Sequence, residues 1–165
     1  MFRIKFYQQQ SGKQTKSTQH PNHFKWVFCL FFCFYWFSVK RNCAEIYKSA
    51  GKPNDGVYTI KPDNLPAFDV FCDQTKAGGG WTVFQKRFNG SVDFYRYWND
   101  YKHGFGDLKS EFWLGLDKIH RLTSDNNSML RVDLEDFEGN TAYAEYNLFG
   151  VMSEKDKYKL LLGSY

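Results

Sequence analysis

Acidic residues are missing from the first 42 positions of this 165-residue chain, and that gap divides its charge. Seven Lys or Arg stand before Cys43; after it come fifteen, against eighteen Asp or Glu. The formal charge of +4 therefore belongs to the N-terminal segment. The remainder is slightly acidic, which excludes the broad basic surface that nucleic-acid binding needs. Cysteine is also sparse: there are four, with no CxxC and no Cys-His pair at ligand spacing, which argues against dithiol redox chemistry and zinc. Only His103 and His120 lie beyond residue 42, at loop and helix-surface positions, and no GxSxG elbow or distinctive carboxylate pair accompanies them. The expectation is that this is no enzyme. Gly78-Gly79-Gly80 lacks the Lys-Ser/Thr that would complete a phosphate-cradling loop. The acidic group Asp133, Glu135, Asp136 and Glu138 places Leu134 and Phe137 where a calcium loop needs oxygen ligands, so it reads as a solvated strand face and no metal is expected.

What the N-terminal segment does contain falls into two parts. Residues 1–23 are polar and basic, with Gln8, Gln9 and Gln10 in a row, and read as a disordered lead. Residues 24–41 hold the uncharged run from Trp26 to Val39, WVFCLFFCFYWFSV, bounded by Lys25 and by Lys40-Arg41. Fourteen residues are short of the roughly 20 that span a bilayer and match the apolar region of a secretory signal. The lead is long for a signal, and no small-x-small cleavage site follows. Three readings stand: a cleaved signal, an uncleaved signal anchor, or translated sequence that merely precedes the domain. Cys29 and Cys33 would share a helix face, as thiols in apolar surroundings.

From Cys43 onward the pattern is that of a packed α+β domain with short elements. Ala44 to Ala50 is a helix candidate, ended by Gly51 and Pro53. Val57 to Ile60 and Phe68 to Phe71 read as strands. Cys43 and Cys72 bracket this lobe. In an oxidising compartment they would close a loop of about 30 residues, worth roughly 3 to 4 kcal/mol; otherwise they are two buried thiols. The stretch from Gly78 to Leu116 carries three of the five tryptophans and seven of the thirteen glycines, a mixture suited to strands and tight turns around a ring-filled core. Trp81 to Arg87 reads as a central strand covered on both faces, and Asn89-Gly90 as a turn. The aromatics at 94, 95, 97, 98 and 101 suggest one or two helical turns with rings facing the core, and Phe112 to Leu122 suggests a helix. Leu130, Val132 and Leu134 alternate with Arg131, Asp133 and Glu135, a strand with its charges in water; Ala142 to Tyr146 returns as its hairpin partner, and Tyr158 to Leu162 is a last strand.

Taken together, these residues resemble the fibrinogen C-terminal (fibrinogen-related) domain family, whose members include ficolins, tachylectins, angiopoietins and the terminal globe of tenascins. The carriers are Cys43, the run Asp55 to Ile60, Val70-Phe71-Cys72-Asp73, Gly78 to Val83, Gln85-Lys86-Arg87, and Gly90 to Phe94. Trp98, Tyr101, Gly104-Phe105-Gly106, Glu111 to Gly115, Ile119-His120 and Leu130 to Leu134 continue the match over nearly all of 43–165. The sequence departs from the family habit at Lys86, Asn89, Ser110 and Leu116. Asn89 creates the sequon Asn89-Gly90-Ser91, and Asn126-Asn127-Ser128 is a second, so both asparagines are glycosylation candidates on a secreted or lumenal chain.

The resemblance implies a disulfide-linked N-terminal lobe and a central antiparallel sheet with short helices. It also implies a third subdomain, with the family's calcium loop and ligand pocket, that would lie beyond Tyr165. On that expectation residues 43–165 are an incomplete domain, with no ligand-binding or catalytic residue and no cofactor in this chain. The implied function is extracellular recognition. Its first form is a lectin-like, secreted binder of acetylated glycans in innate recognition. The alternative is a matrix or receptor ligand of the tenascin or angiopoietin type, with a cell-surface or matrix protein as partner. A single-pass membrane form follows if the apolar run is an anchor.

Overall fold

A computed structural model describes residues 3–10, 39–51, 53–125 and 127–165. The apolar run up to Ser38, with Cys29 and Cys33, lies outside the described residues, as does Asn126. Among the described residues no helix is long and apolar enough to cross a membrane.

Among the described residues there are ten strands, three α-helices and two short 3-10 helices. Strand β1 is Arg3–Gln10 and helix α1 is Cys43–Ala50; strands β2, β3 and β4 are Gly56–Ile60, Phe68–Asp73 and Trp81–Arg87. Helix α2 is Trp98–His103, strands β5 and β6 are the two-residue Phe105–Gly106 and Phe112–Trp113, and helix α3 is Leu116–Thr123. Strands β7, β8, β9 and β10 are Ser128–Glu135, Thr141–Tyr146, Phe149–Val151 and Leu160–Leu162. The main sheet runs β2-β3-β4-β1-β7-β8, with β6 also on β4 and β5 on β6; β9 and β10 form a separate pair. Every pairing is antiparallel. The α+β class read from the sequence is the observed one.

Local chemistry explains most of these elements. Asn42 caps α1 by accepting a 2.9 Å hydrogen bond from the Glu45 N–H, and the left-handed Gly51 (φ 61°) closes it. In β4 the residues Trp81, Thr82, Val83 and Phe84 are all buried, which is what a central strand covered on both faces requires. The core joins Tyr7, Ile46, Ile60, Val70, Trp81, Phe84, Phe112, Ile119, Leu122, Leu130 and Phe149 into one cluster, with Phe84 stacked on Phe149 at 5.3 Å.

Four expectations change. Arg3–Gln10, read as disordered lead, is the strand that joins the two halves of the main sheet. It pairs over five register positions with β4 and eight with β7. Phe94 to Tyr101 is not a core-facing helix. Helix α2 begins only at Trp98, after an extended Tyr97 (φ −79°, ψ 165°); Phe94 is half-buried, whereas Tyr95, Arg96, Tyr97 and Trp98 are all exposed. The expected helix from Phe112 is cut in two, since Phe112 and Trp113 pair with β4 and Gly115, at φ 107°, breaks the chain direction before α3. Finally, Arg131 and Asp133 are not in water: Arg131 is buried and Asp133 lies in a cleft.

Candidate functional site

The lobe at the N-terminal side of the sheet is stapled by a Cys43–Cys72 disulfide, with Cα atoms 5.5 Å apart. Both cysteines are fully buried. The bond ties the first residue of α1 to the penultimate residue of β3, and Gln74 braces the same joint by accepting from the Gly80 N–H at 3.0 Å.

Sequence reasoning missed Glu111. Its side chain is completely buried, and its carboxylate collects the turn after β4: Oε1 accepts the N–H groups of Phe88, Asn89 and Gly90 at 2.6, 2.7 and 2.8 Å, and Oε2 that of Val92 at 3.0 Å. Burial by itself would raise its pKa, but the four backbone donors outweigh that and hold it at about 2. Glu111 is thus a permanent anion that folds the loop onto the sheet. Its one outward sign was an acid inside an otherwise apolar motif, Glu111-Phe112-Trp113-Leu114. The loop it holds carries Asn89, which is exposed and accepts from the Ser91 N–H at 3.0 Å, so the sequon sits on a tight surface turn.

A cleft of about 510 Å³ opens over β1, β4 and β7, lined among others by Tyr7, Asp73, Lys76, Arg87, Arg131, Asp133 and Tyr143. Several of its charges pair with one another, while the buried Nε of Arg87, whose guanidinium carbon lies 4.2 Å from the Phe94 ring centroid, has no hydrogen-bond partner among the described residues. Arg131 donates to Asp133 at 2.8 Å and to Glu145 at 2.5 Å and lies 4.1 Å over the Tyr143 ring. The second oxygen of Asp133 has the Lys76 ammonium at 3.3 Å, within ion-pair range but without hydrogen-bond geometry. The Tyr7 phenol is pushed well above its ordinary pKa, first by burial and then by the carboxylates of Asp73 and Asp133. It stays protonated at any physiological pH, so this arrangement is a buried polar lining rather than an acid-base pair. Asp133, Glu135, Asp136 and Glu138 are not brought together as one face: Asp136 instead closes its own turn by accepting from Asn140 at 2.8 Å.

The opposite character appears at the loop before α2. Tyr95, Tyr97 and Trp98 are 94%, 85% and 60% exposed, where the sequence pattern had placed core rings. They are held from behind. Phe94 packs edge-on against Phe105 at 4.9 Å, Tyr101 donates to the Phe94 carbonyl at 2.8 Å, and the Trp113 indole donates to the Tyr101 carbonyl at 2.8 Å. Trp98 leans on Tyr158 at 6.0 Å, whose hydroxyl donates to Asp117, and Lys102 bridges to Glu154 at 2.6 Å. The backbone on either side of the exposed rings is thereby braced, and Trp98 is supported on one side by Tyr158. Of the two body histidines, His103 is exposed beside the Asn99 carbonyl, and His120 contacts the Val151 carbonyl at 2.8 Å, tying α3 to β9.

An antiparallel sheet with short helices, glycine-shaped loops, one buried disulfide and a fixed external aromatic surface defines a stapled globe of the fibrinogen-like class. The chain belongs to that family: residues 39–165 match the family described as fibrinogen beta and gamma chains, C-terminal globular domain. Among curated relatives, fibrinogen C domain-containing protein 1 of Xenopus tropicalis is 51% identical over 134 residues, covering 78% of this chain and 29% of that protein. Human microfibril-associated glycoprotein 4 is 53% identical over 131 residues, covering 75% of this chain and 51% of that protein. Among solved structures, the fibrinogen-like globe domain of human ANGPTL2 is similar with a TM-score of 0.73 and 42% identity, covering 76% of this chain and 58% of that one. Lamprey fibrin D-dimer, complexed with the peptide ligand Gly-His-Arg-Pro-amide, gives a TM-score of 0.71 and 41% identity over 76% of this chain and 40% of that one. The chain thus spans between about a third and a half of the length of the curated relatives it matches.

Proposed function

We propose that the chain is an extracellular, non-catalytic recognition module that engages a protein partner through the face formed by Tyr95, Tyr97 and Trp98. The observation that carries this reading is the exposure of three large aromatic rings within four consecutive residues, on a stretch whose neighbours Phe94 and Tyr101 are packed and hydrogen-bonded. Rigid Tyr and Trp side chains contribute large contact area at low entropic cost, which is why such residues anchor protein interfaces. The disulfide supports an oxidising compartment. The names of the relatives point the same way: one associates with microfibrils and one solved structure is a complex with a peptide. An acetylated glycan is the second reading, because exposed Trp and Tyr faces also stack on the apolar faces of sugar rings.

The experiment is a binding assay of the oxidised chain on cell-deposited matrix, with the double variant Tyr97→Ser, Trp98→Ser as control. Loss of at least about tenfold in affinity with an unchanged melting temperature supports the aromatic face. Protease treatment of the matrix should abolish binding, whereas competition by N-acetylglucosamine would transfer the assignment to the glycan reading. Equal binding by the double variant would remove the proposed face.

A further inference from the structure

The exposed rings of Tyr95, Tyr97 and Trp98 differ from their neighbours in what their polar atoms do. The Trp113 indole and the hydroxyls of Tyr101 and Tyr158 all donate within the chain. By contrast the hydroxyls of Tyr95 and Tyr97 and the indole N–H of Trp98 have no partner among the described residues. Nor do the three rings pack on one another. Trp98 meets Tyr158 with centroids 6.0 Å apart, Tyr95 and Tyr97 meet no ring of the described residues, and no cation of those residues lies over any of the three. They stand as separate ridges with gaps between them, which does not suit the closed aromatic cage that holds a quaternary ammonium group. The two charged residues from 92 to 98 are Asp93 and Arg96, opposite in sign and turned back on the chain. Asp93 accepts the Tyr95 N–H at 2.8 Å, and Arg96 Nε donates to the Asp93 carbonyl at 3.0 Å with its guanidinium 5.5 Å from the Phe105 ring centroid. The stretch therefore offers flat apolar faces and uncommitted donors without net charge.

We propose that Tyr95, Tyr97 and Trp98 are a docking face for an uncharged, proline-rich segment of a partner protein in the polyproline II conformation; this rests on the reading of the same face as a protein-binding surface and names the chemistry of the partner. A helix or a strand in a sheet spends its carbonyls on its own backbone, whereas a polyproline II segment makes no internal hydrogen bonds and leaves every carbonyl free to accept from a phenol or an indole. Proline adds an apolar ring that fits between aromatic ridges, and it brings no N–H in need of an acceptor. Such a segment is already extended, so little conformational entropy is lost when it binds. The lengths agree: from Tyr95 to Trp98 the backbone spans at most about 10 Å, and two turns of a polyproline II helix, about six residues, run roughly 19 Å. One short segment therefore covers all three rings.

The test uses the oxidised full chain and, as probe, fluorescein-labelled decaproline amide read by fluorescence anisotropy, with a Gly-Ser peptide of the same length as control. Decaproline should bind at least about tenfold more tightly than the Gly-Ser peptide, and the double variant Tyr97→Ser, Trp98→Ser should lose at least about tenfold of its affinity for decaproline. A second pair, Tyr95→Phe and Tyr97→Phe, keeps both rings and removes both hydroxyls; it should weaken decaproline about threefold to tenfold at an unchanged melting temperature. Unlabelled decaproline should also displace the chain from cell-deposited matrix. Failure takes distinct forms. Matrix binding that falls in the serine variant, while decaproline neither binds nor displaces the parent, overturns the proline chemistry and leaves the protein-binding face standing. Decaproline binding that is equal in the parent and the serine variant, or equal in the parent and the phenylalanine pair, overturns the hydrogen-bonded docking. Matrix binding unchanged in the serine variant removes the face and the proposal together.

Discussion

Glu111 shows what one residue does in this fold. Four backbone N–H groups of the 88–92 turn converge on a carboxylate that no water reaches. With its pKa held at about 2 against an ordinary 4.5, its contribution to stability is fully present above pH 4.5 and disappears as pH falls towards 2. That difference corresponds to about 3 kcal/mol. Glu111→Gln turns one acceptor into a donor facing the Val92 N–H, and should lower stability by a similar amount, about 3 kcal/mol. In thermal melts the parent should lose melting temperature steeply between pH 4.5 and 2, and the variant less steeply; parallel curves would remove the role assigned to this carboxylate. The residue stood out in the sequence as part of a motif, but its role was not legible there because its partners are main-chain groups, which every sequence has. The cysteines were visible, since two half-cystines bracketing a helix and a hairpin have few other uses in an oxidised lobe.

At the scale of elements, legibility follows the source of the signal. Strands β4, β7 and β8 and helix α1 announce themselves through alternation, a turn at Asn89-Gly90 and a stop at Gly51, all of which are local. Strand β1 does not, because Gln8, Gln9 and Gln10 carry no strand preference, and its stability comes from two neighbours more than 70 residues away. Residues 94–101 were misread because a helix does form over Trp98–His103, but the aromatics before it lie in irregular, largely exposed backbone that aromatic spacing does not reveal. Glycines mark where elements must break, and the structure separates those that fold by conformation alone from those that also pack. Gly139 (φ 86°) has nothing within 4 Å of a built Cβ; Gly115 (φ 107°) would place one 2.5 Å from the His103 carbonyl carbon and 2.7 Å from the Gly104 nitrogen. Gly139→Ala should therefore cost about 1 kcal/mol, the backbone strain alone. Gly115→Ala should cost about 3 kcal/mol or more, since α2 and α3 must also move apart. Chemical denaturation of the two variants side by side checks this, and equal costs would mean that the loop relaxes freely around Gly115.

For the whole molecule, the two ends of the N-terminal segment make opposing demands. The body carries a buried disulfide and an exposed sequon at Asn89, both of which suit a chain that has crossed a membrane. The sheet holds Arg3–Gln10 at its centre, which suits a chain whose apolar run has neither been cut off nor left in a bilayer. Disulfide and strand coexist in the structure, but a chain whose apolar run has been cut off or left in a bilayer cannot also bring Arg3–Gln10 to the sheet, so on that route glycan and strand should be mutually exclusive. Expressed in a eukaryotic secretory host, molecules carrying an N-glycan at Asn89, removable by an N-glycosidase and abolished by Asn89→Gln, should begin after the Trp26 to Val39 run when their N-termini are sequenced, or be retained in the membrane. Molecules in which Arg3–Gln10 is protected from hydrogen exchange should carry no glycan and have residues 1–42 intact. Intact-mass measurement of each pool reads both features at once. Recovery of one soluble species that is glycosylated at Asn89 and still protected at Tyr7 would show that the apolar run crosses with the body as ordinary connecting chain, with Arg3–Gln10 still in place between β4 and β7.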